Sequence, residues 1–202
     1  MTGHFIAFEG GEGSGKSTQA ARLAARIGAV LTHEPGDTPL GARVRSLLLD
    51  VDDLAITPRA EALLMAADRA QHVADVVRPA LAAGRTVVTD RYIGSSVAYQ
   101  GFGRQLDPME VANLSTWAAD ELWPDLVLLL EVPLSVSRQR TGGPRDRLEG
   151  AGADFHRRVH DGFLEQATFD SERWAVIDGT RPEDEVAEAI WQIVSIRFPD
   201  VV

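Results

Sequence analysis

The chain has 202 residues, of which 45% are apolar and 25% charged, values that are typical of one compact folded domain. It contains no cysteine, which excludes disulfides, thiolate catalysis and cysteine-based zinc sites. A net charge of −10 disfavours a general nucleic-acid binder, so we expect no nucleic-acid partner. The longest strongly apolar run, residues 126–130, is too short to span a bilayer, and the first residues carry no signal-peptide pattern. We therefore expect a cytoplasmic protein without a membrane contact.

Short β-like runs alternate along the chain with longer stretches of helical spacing. The predicted strands are residues 4–9, 29–32, 85–90, 126–132 and 174–178. The predicted helices are residues 15–27, 39–49, 57–83, 107–119, 153–168 and 182–197. This alternation predicts an α/β fold with an open parallel sheet and helices on both faces. Ligands of such sheets bind beyond the carboxyl ends of the strands, where Glu9, Asp90 and Asp178 lie.

A glycine-rich loop between the first strand and the first helix matches the pattern G-x-x-x-x-G-K-[ST] in full. The residues expected to bind the triphosphate are Gly10, Gly11, Glu12, Gly13, Ser14, Gly15, Lys16, Ser17 and the following Thr18. Glycines let successive N–H groups point inward, and the helix N-terminus adds its positive dipole end, so the loop favours phosphate. Lys16, the only lysine of the chain, is placed to reach the outer phosphates, and Ser17 to bind Mg²⁺.

This phosphate loop, residues 10–17, indicates a nucleoside triphosphate but leaves the reaction open. GTPases, motor ATPases and small-molecule kinases share the pattern. The sequence has no N-K-x-D segment for reading guanine, which disfavours a GTPase, and 202 residues are few for a motor ATPase.

Arg91 and Asp90, at the end of a predicted strand, suit phosphoryl transfer between two nucleotides. Catalysis of that reaction is mostly positioning and charge neutralisation. Arg91 is placed to hold an acceptor phosphate with two parallel hydrogen bonds, and Asp90 to hold Mg²⁺ directly or through water. The expected metal-binding residues are therefore Ser17 and Asp90.

Five segments of the chain resemble the bacterial thymidylate kinase family, and the resemblance extends from residue 5 to about residue 193. They are the phosphate loop in the form F-E-G-x-E-G-x-G-K-S-T, then HEPGDT at 33–38, LMAADRAQH at 64–72, DRY, SSVAYQG and GR within 90–104, and DRLE at 146–149. The block at 90–104 is long and distinctive, and it is the most family-specific of the five.

The resemblance implies a single-domain kinase fold over residues 1–202, with strand order 2-3-1-4-5. It implies an enzyme of dTTP biosynthesis that phosphorylates dTMP to dTDP with ATP and Mg²⁺, and so small-molecule partners. It also implies a homodimer packed through helices beside the sheet. The candidates are the helices at 57–83 and 107–119, the latter with Leu114 and Trp117.

A short arginine-rich lid is expected at about residues 138–150. Its arginines are Arg138, Arg140, Arg145 and Arg147, and they flank a Gly-Gly-Pro hinge. Such an arrangement is typical of a lid that folds over phosphates and excludes water. The resemblance favours Arg147 as a transition-state contact, followed by Arg145 and Arg140.

For the acceptor, the resemblance implies that Glu12 contacts the 3′-hydroxyl and that Tyr99 lies under the deoxyribose. Arg69, Ser96 and Gln100 would line the thymine pocket. The full set of expected dTMP-binding residues is Glu12, Pro35, Met65, Arg69, Arg91, Ser96, Tyr99 and Gln100. The expected catalytic residues are Lys16, Arg91, Arg147 and Glu12.

Three positions depart from the family pattern. Met65 stands where the family usually has a phenylalanine that stacks on thymine, which predicts weaker stacking and a raised KM for the acceptor. His33 stands where the family usually has arginine, and Asp37 stands where it usually has glycine. Asp37 therefore brings negative charge near a phosphate site. Two alternatives therefore stay open: another nucleotide or deoxynucleoside kinase of the same fold, and a nucleotide-binding protein that has lost kinase activity.

Overall fold

A five-stranded parallel sheet lies at the centre of the computed structural model, which describes residues 3–50, 54–140, 147–148 and 150–201. The strands are β1 (Phe5–Glu9), β2 (Val30–His33), β3 (Val87–Asp90), β4 (Leu126–Glu131) and β5 (Trp174–Asp178). Their order is β2-β3-β1-β4-β5, and every pair is parallel. The predicted fold class and strand order are confirmed.

Helices cover both faces of this sheet. In chain order they are α1 (Lys16–Ile27), α2 (Pro39–Leu49), α3 (Pro58–His72), α4 (Arg78–Ala82), α5 (Ile93–Ser96), α6 (Pro108–Ala118), α7 (Leu134–Arg140), α8 (Ala153–Phe169) and α9 (Glu183–Arg197). Two π-helical segments, Val73–Val77 and Val97–Gly103, continue α3 and α5, and a 3₁₀ turn, Pro199–Val201, follows α9. Within the described part of the chain, none of these helices is long and apolar enough to cross a membrane.

The core lies on both faces of β1, because its five residues are all buried. Ile6 and Phe8 pack toward one face, in a cluster that includes residues of α1 and α9. Phe5 and Ala7 pack toward the other face, in a cluster that includes Tyr92 and Ile93. A strand buried on both faces reads as a continuous apolar run, which is why the sequence predicts it well.

The helix predicted at 57–83 is present over Pro58–Ala82, with the π-helical turn inside it. The Thr57 side chain accepts a hydrogen bond from the N–H of Ala60 and so caps the helix. The Asp107 side chain caps α6 in the same way, through the N–H groups of residues 109 and 110. These local capping signals explain why both helix starts are predicted correctly.

The helical segment from Ile93 to Gly103 is missing from the sequence prediction. It contains three glycines and two serines, which are poor helix formers, and its hydrophobic spacing is irregular. Burial overrides these preferences, because nearly every side chain of the segment is buried. The short helix α7 was also not predicted. Of the expected lid, residues 141–146 and 149 lie outside the described residues, and Arg145 is among them.

Candidate active site

The phosphate loop joins β1 to α1 and depends on glycines at two tight positions. Gly10 has φ +142°, and a Cβ there would lie 2.6 Å from the carbonyl oxygen of Leu130 on the neighbouring strand. Gly15, with φ +92°, precedes the first residue of α1 in a left-handed conformation. Only glycine adopts such angles without strain, so the loop wraps closely around the N-terminus of α1. This geometry is the anion-binding arrangement that the sequence predicts.

Lys16 is held inside the loop before any phosphate binds. Its Nζ donates to the carbonyl oxygen of Gly11 at 2.8 Å and lies 3.4 Å from Oγ of Ser14. Burial, and then the charge of Arg91, lower its pKa to about 8. A buried ammonium so placed gains a strong partner when phosphate arrives.

Ser17 and Asp90 meet at the carboxyl ends of β1 and β3. Oγ of Ser17 donates to Oδ2 of Asp90. The other carboxylate oxygen, Oδ1, is buried and has no hydrogen-bond partner among the described residues. A hydroxyl beside a carboxylate with an unused buried oxygen fits Mg²⁺, which is bound by few protein oxygens together with phosphate and water.

Arg91 extends from the end of β3 toward the phosphate loop with φ +73°, a left-handed conformation that is strained for a non-glycine residue. Its Nη1 donates to the carbonyl oxygen of Gly10 at 3.2 Å and to Oγ of Ser95 at 3.1 Å. Its Nη2 donates to the Glu12 carboxylate, which also accepts a hydrogen bond of 2.9 Å from the Tyr99 hydroxyl. The phosphate loop, Arg91 and Tyr99 therefore form one cluster.

The charges in this cluster stabilise one another. Burial alone would raise the pKa of Glu12, but the charges of Arg91 and Lys16 and the Tyr99 hydrogen bond lower it to about 2. Burial alone would lower the pKa of Arg91, yet the Glu12 charge raises it above its usual range. Both groups are thus ionised at neutral pH. The Glu12 carboxylate of the phosphate loop therefore neutralises the arginine beside it.

Glu9 contacts Arg91 indirectly, through the Ser95 hydroxyl. The sequence predicts only that Glu9 is an acid at the end of a strand. Its Oε1 accepts from the N–H groups of Tyr92 and Ser95, both at 3.0 Å, and its Oε2 accepts from Oγ of Ser95 at 2.6 Å. Burial raises the pKa of Glu9 to about 7, against the opposing effects of the Ser95 hydrogen bond and the Arg91 charge. Ser95 therefore links a buried carboxyl to the guanidinium of Arg91.

A cavity of about 720 Å³ opens between the phosphate loop and the segment after β2. Its lining residues are Glu12, Gly13, Gly15, Lys16, Ser17, Thr18, Leu31, Thr32, His33, Glu34, Asp37, Arg45, Asp90 and Arg91. Most of the predicted loop residues and both expected metal-binding residues share this cavity with Arg91. Its size suits a nucleotide.

Arg69 is buried, and two of its donors have no partner among the described residues. Its Nη2 is 2.8 Å from Oε2 of Glu34 and donates to Oγ of Ser96 at 3.1 Å. The Glu34 carboxylate is also held by Nδ1 of His72 at 2.8 Å. Nε and Nη1 of Arg69 have no hydrogen-bond partner within the described ranges. Buried donors without a partner are uncommon in folded proteins, so these two nitrogens are candidates for binding a ligand with acceptor oxygens.

Gln100 presents a complementary acceptor. It lies four residues after Ser96 on the same helical segment and is fully buried. Its Nε2 donates to Oε1 of Glu61 at 2.9 Å, and its Oε1 is buried without a partner in the described part of the chain. Arg69, Ser96 and Gln100, the predicted base-pocket residues, thus include unused donors and an unused acceptor.

The structure places Met65, Pro35 and the departures His33 and Asp37 in different surroundings. Met65 is buried and packs against Val44 and Leu48. The carbonyl oxygen of Pro35, after a cis peptide bond, accepts from Nη1 of Arg45 at 2.8 Å. Asp37 lines the cavity and accepts from Oγ1 of Thr32, with its other oxygen 3.7 Å from His33. The side chains of His33 and Asp37 are partly exposed, so this pair lies at the opening of the cavity.

The described lid arginines occupy different places. Nη1 of Arg140 donates to the carbonyl oxygen of Gly179 at 2.9 Å and lies 3.5 Å from that of Gly13, so this arginine touches the phosphate loop. Arg138, on the same helix, is exposed. Arg147 binds the Leu48 carbonyl oxygen at 2.8 Å and Oε2 of Glu61 at 2.6 Å instead of the phosphate loop. The partner that holds Arg147 in this way was not predicted from the sequence.

Comparisons with known proteins show which family the chain belongs to. The family model described as "Thymidylate kinase" matches residues 8–190. The chain is 50% identical to "Thymidylate kinase" of Clavibacter michiganensis subsp. michiganensis, with 94% of this chain and 93% of that protein covered. It is 46% identical to "Thymidylate kinase" of Bifidobacterium longum, with 96% of each covered. Among solved structures, the crystal structure of thymidylate kinase from Ehrlichia chaffeensis matches with a TM-score of 0.78 at 30% identity, over 96% of this chain and 99% of that one. The chain belongs to the thymidylate kinase family.

Proposed function

We propose that the phosphorylation of dTMP to dTDP by ATP, the activity of this family, takes place in the cavity between the phosphate loop and β2. The observation that carries the proposal is that Lys16 and Arg91 line this one cavity of about 720 Å³. Two cationic groups on separate elements can hold two anionic groups against each other. The enzyme then acts mainly by positioning and by charge neutralisation.

On the donor side, the loop amides and Lys16 bind the β- and γ-phosphates of ATP. The carbonyl oxygen of Gly11 holds the Lys16 ammonium at 2.8 Å in the free protein. Phosphate replaces that carbonyl as the stronger, charged partner. Ser14, buried beside Nζ, keeps the lysine aligned within the loop.

Ser17 and Asp90 would hold Mg²⁺, and the unpartnered Oδ1 of Asp90 supports this assignment. When bound, the ion would neutralise charge on the phosphate oxygens. The Ser17–Asp90 hydrogen bond keeps both oxygens on the same side of the loop.

On the acceptor side, Arg91 binds the 5′-phosphate of dTMP. The guanidinium already has charged and neutral partners that hold its plane, so little side-chain freedom remains to be lost on binding. Glu12 is then available to the 3′-hydroxyl of the sugar, with Tyr99 beneath the ring. The attacking group is an oxygen of the dTMP phosphate, so no nucleophilic side chain takes part.

The base is read by Arg69 and Gln100. Thymine offers carbonyl oxygens and an N3–H, which match the unused Nε and Nη1 donors of Arg69 and the unused Oε1 acceptor of Gln100. Cytosine offers an unprotonated N3 and an amino group, so it would leave these buried groups unpaired. A buried site of this kind discriminates strongly between such ligands.

The lid and the quaternary structure complete the proposal. We propose that residues 1–202 act as one domain, with a lid at about residues 138–150 in which Arg140 and Arg147 approach the transferring phosphate. We also propose a cytoplasmic homodimer. Leu63 and Trp117, on α3 and α6, are 58% and 77% exposed, which supports packing of these helices against a second copy. Light scattering of the purified protein measures the oligomeric state directly.

A substrate panel tests the reaction. Purified protein, ATP and Mg²⁺ are combined in turn with dTMP, other monophosphates and the free nucleosides, and ADP release is followed. We expect kcat/KM to be highest for dTMP and turnover to stop when Mg²⁺ is chelated. A preference for thymidine over dTMP would favour a nucleoside kinase, and no turnover at saturating substrates would favour a binding protein without activity.

A further inference from the structure

A buried glutamate on α3 contacts the side chain of Gln100 and does not line the cavity at the phosphate loop. Glu61 is 0% exposed, and among the described residues its carboxylate contacts the side chains of three others. Gln100 donates to Oε1 at 2.9 Å, Arg104 donates to both oxygens at 3.1–3.2 Å, and Arg147 donates to Oε2 at 2.6 Å. Every partner is a donor, as an ionised carboxylate requires.

The ionised state of Glu61 is consistent with these contacts. Burial raises its pKa, but the hydrogen bonds from Arg104 and Gln100, followed by the Arg104 charge and the Arg147 hydrogen bond, bring it below its usual value. A carboxylate in this state accepts hydrogen bonds and donates none. It therefore admits only one orientation of the neighbouring amide.

That restriction sets what Gln100 offers to a ligand. An amide has an NH₂ group on one side and a carbonyl oxygen on the other, and the two exchange places when it flips. Because Glu61 accepts only a donor, the NH₂ group faces Glu61 and Oε1 faces away from it, buried and without a partner in the described residues. A flipped amide would set two acceptors against each other at Glu61.

We propose that Glu61 is a specificity-positioning residue: its carboxylate locks the Gln100 amide so that Oε1 accepts the N3–H of thymine and repels the N3 lone pair of cytosine. The inference rests on the proposed dTMP site. Arg147 shares the carboxylate, so Glu61 joins the base pocket to the residue that follows the expected lid hinge. The selectivity of the pocket thus depends on a group that touches no part of the substrate.

The test compares how strongly wild type and E61Q distinguish dTMP from dCMP. The measured quantity is the Kd of dCMP divided by that of dTMP, obtained by displacement titration, together with kcat/KM for both. In E61Q the new amide can donate as well as accept, so Gln100 can flip. We expect the ratio of the two Kd values to fall about tenfold. A buried hydrogen bond and the mispaired contact that replaces it differ by about this factor in affinity. A merely loosened fold would weaken both ligands alike and leave the ratio unchanged.

Two further variants make the result decisive. In Q100L the ratio should fall at least as far as in E61Q, because the acceptor itself is gone. In R22K the ratio should stay at the wild-type value, because Arg22 pairs with Glu183 and Asp184 on the surface and contacts neither Glu61 nor Gln100. A wild-type ratio in folded E61Q, with a reduced ratio in Q100L, would overturn the inference and leave the proposed function standing. A wild-type ratio in Q100L would overturn both the inference and the base-reading proposal.

If E61Q does not fold, E61D carries the test. Its carboxylate is one methylene shorter, and the long Arg104 and Arg147 side chains can follow it, whereas Gln100 is fixed on a buried helical segment. We expect a reduced ratio in E61D as well. A folded E61D with the wild-type ratio would also overturn the inference. A wild-type enzyme that prefers another acceptor over dTMP would instead contradict the proposed function.

Discussion

Arg91 and Glu12 form an ion pair at the edge of the phosphate loop, with Nη2 of the arginine donating to Oε1 of the glutamate. The pair joins the end of β3 to the loop after β1, and the Tyr99 hydroxyl donates to the same glutamate oxygen at 2.9 Å. In the free protein, Glu12 keeps the guanidinium neutralised and aimed at the cavity. Under the proposed function, the acceptor phosphate exchanges with the Glu12 carboxylate at this guanidinium, which lines the cavity.

Replacing Arg91 with lysine should reduce kcat/KM for dTMP by about 10²–10³-fold, the usual effect of removing one preorganised donor to developing charge. Lysine keeps the charge but cannot supply the planar fork that contacts Gly10, Ser95 and Glu12 together. Steady-state kinetics give the value. R22K is the matched control, because Arg22 pairs with Glu183 and Asp184 on the surface and should leave the kinetics unchanged. Equal activity of R91K and R22K would refute the role of Arg91.

Lys16 should titrate well below an ordinary lysine. Because it is the only lysine, protein labelled with ¹³C at the lysine ε-carbon gives one resonance whose pH dependence reports this pKa. We expect a midpoint at about 8 in the free protein, since burial and Arg91 both disfavour the charged form. ATP should move the midpoint upward, because phosphate favours the ammonium. A free-protein midpoint near the ordinary lysine value would show that the ammonium is not buried in the loop.

Glu9 should make the fold less stable as the pH rises. Its pKa is raised to about 7 in the folded protein, so the folded state favours the neutral carboxyl. The cost of ionising it is absent at low pH, grows above the unfolded-state pKa of about 4.5 and is complete above about pH 7. E9Q cannot ionise, so its free energy of unfolding relative to wild type should increase over this range, by about 3 kcal/mol at most. Urea titrations of both proteins from pH 5 to 8 measure the difference, and a constant difference would disprove the linkage.

Replacing Met65 with phenylalanine should lower the KM for dTMP. A ring face would add stacking on thymine worth about 0.5–1.5 kcal/mol, or roughly two- to tenfold in affinity. Met65 is 8% exposed and packs against Val44 and Leu48, so the ring must fit this cluster. M109F is the control, because Met109 is 65% exposed on α6, outside this cluster. Unchanged kcat/KM for dTMP in folded M65F would show that the methionine does not weaken base binding.

The sheet, the phosphate loop and the helix starts could be predicted because their signals are local. β1 and β4 read as continuous apolar runs, and Thr57 and Asp107 cap their helices through neighbouring N–H groups. Asp90 and Arg91 could be placed beside the loop because parallel strands end at one edge. In each case a short stretch of sequence carries the information.

The networks that hold the site could not be predicted, because each depends on residues far apart in the chain. Glu61 lies in the first turn of α3, where an acid is typical of an exposed position, yet it is fully buried by donors 39 to 86 residues away. Glu9 could be recognised as an acid at a strand end. Its hydrogen bonds to Tyr92 and Ser95, however, depend on the helical segment 93–103, which could not be predicted because it contains glycines and serines. The contact of Arg147 with Glu61 depends on the same tertiary arrangement.

The most direct test of the account uses one compound in which adenosine and thymidine are joined through a polyphosphate chain. If a single cavity holds the donor phosphates at Lys16 and the acceptor phosphate at Arg91, the compound should compete with both ATP and dTMP, and it should inhibit R91K at least about tenfold more weakly. Competition with ATP alone, or equal inhibition of wild type and R91K, would mean that the two nucleotides do not meet end to end at these residues.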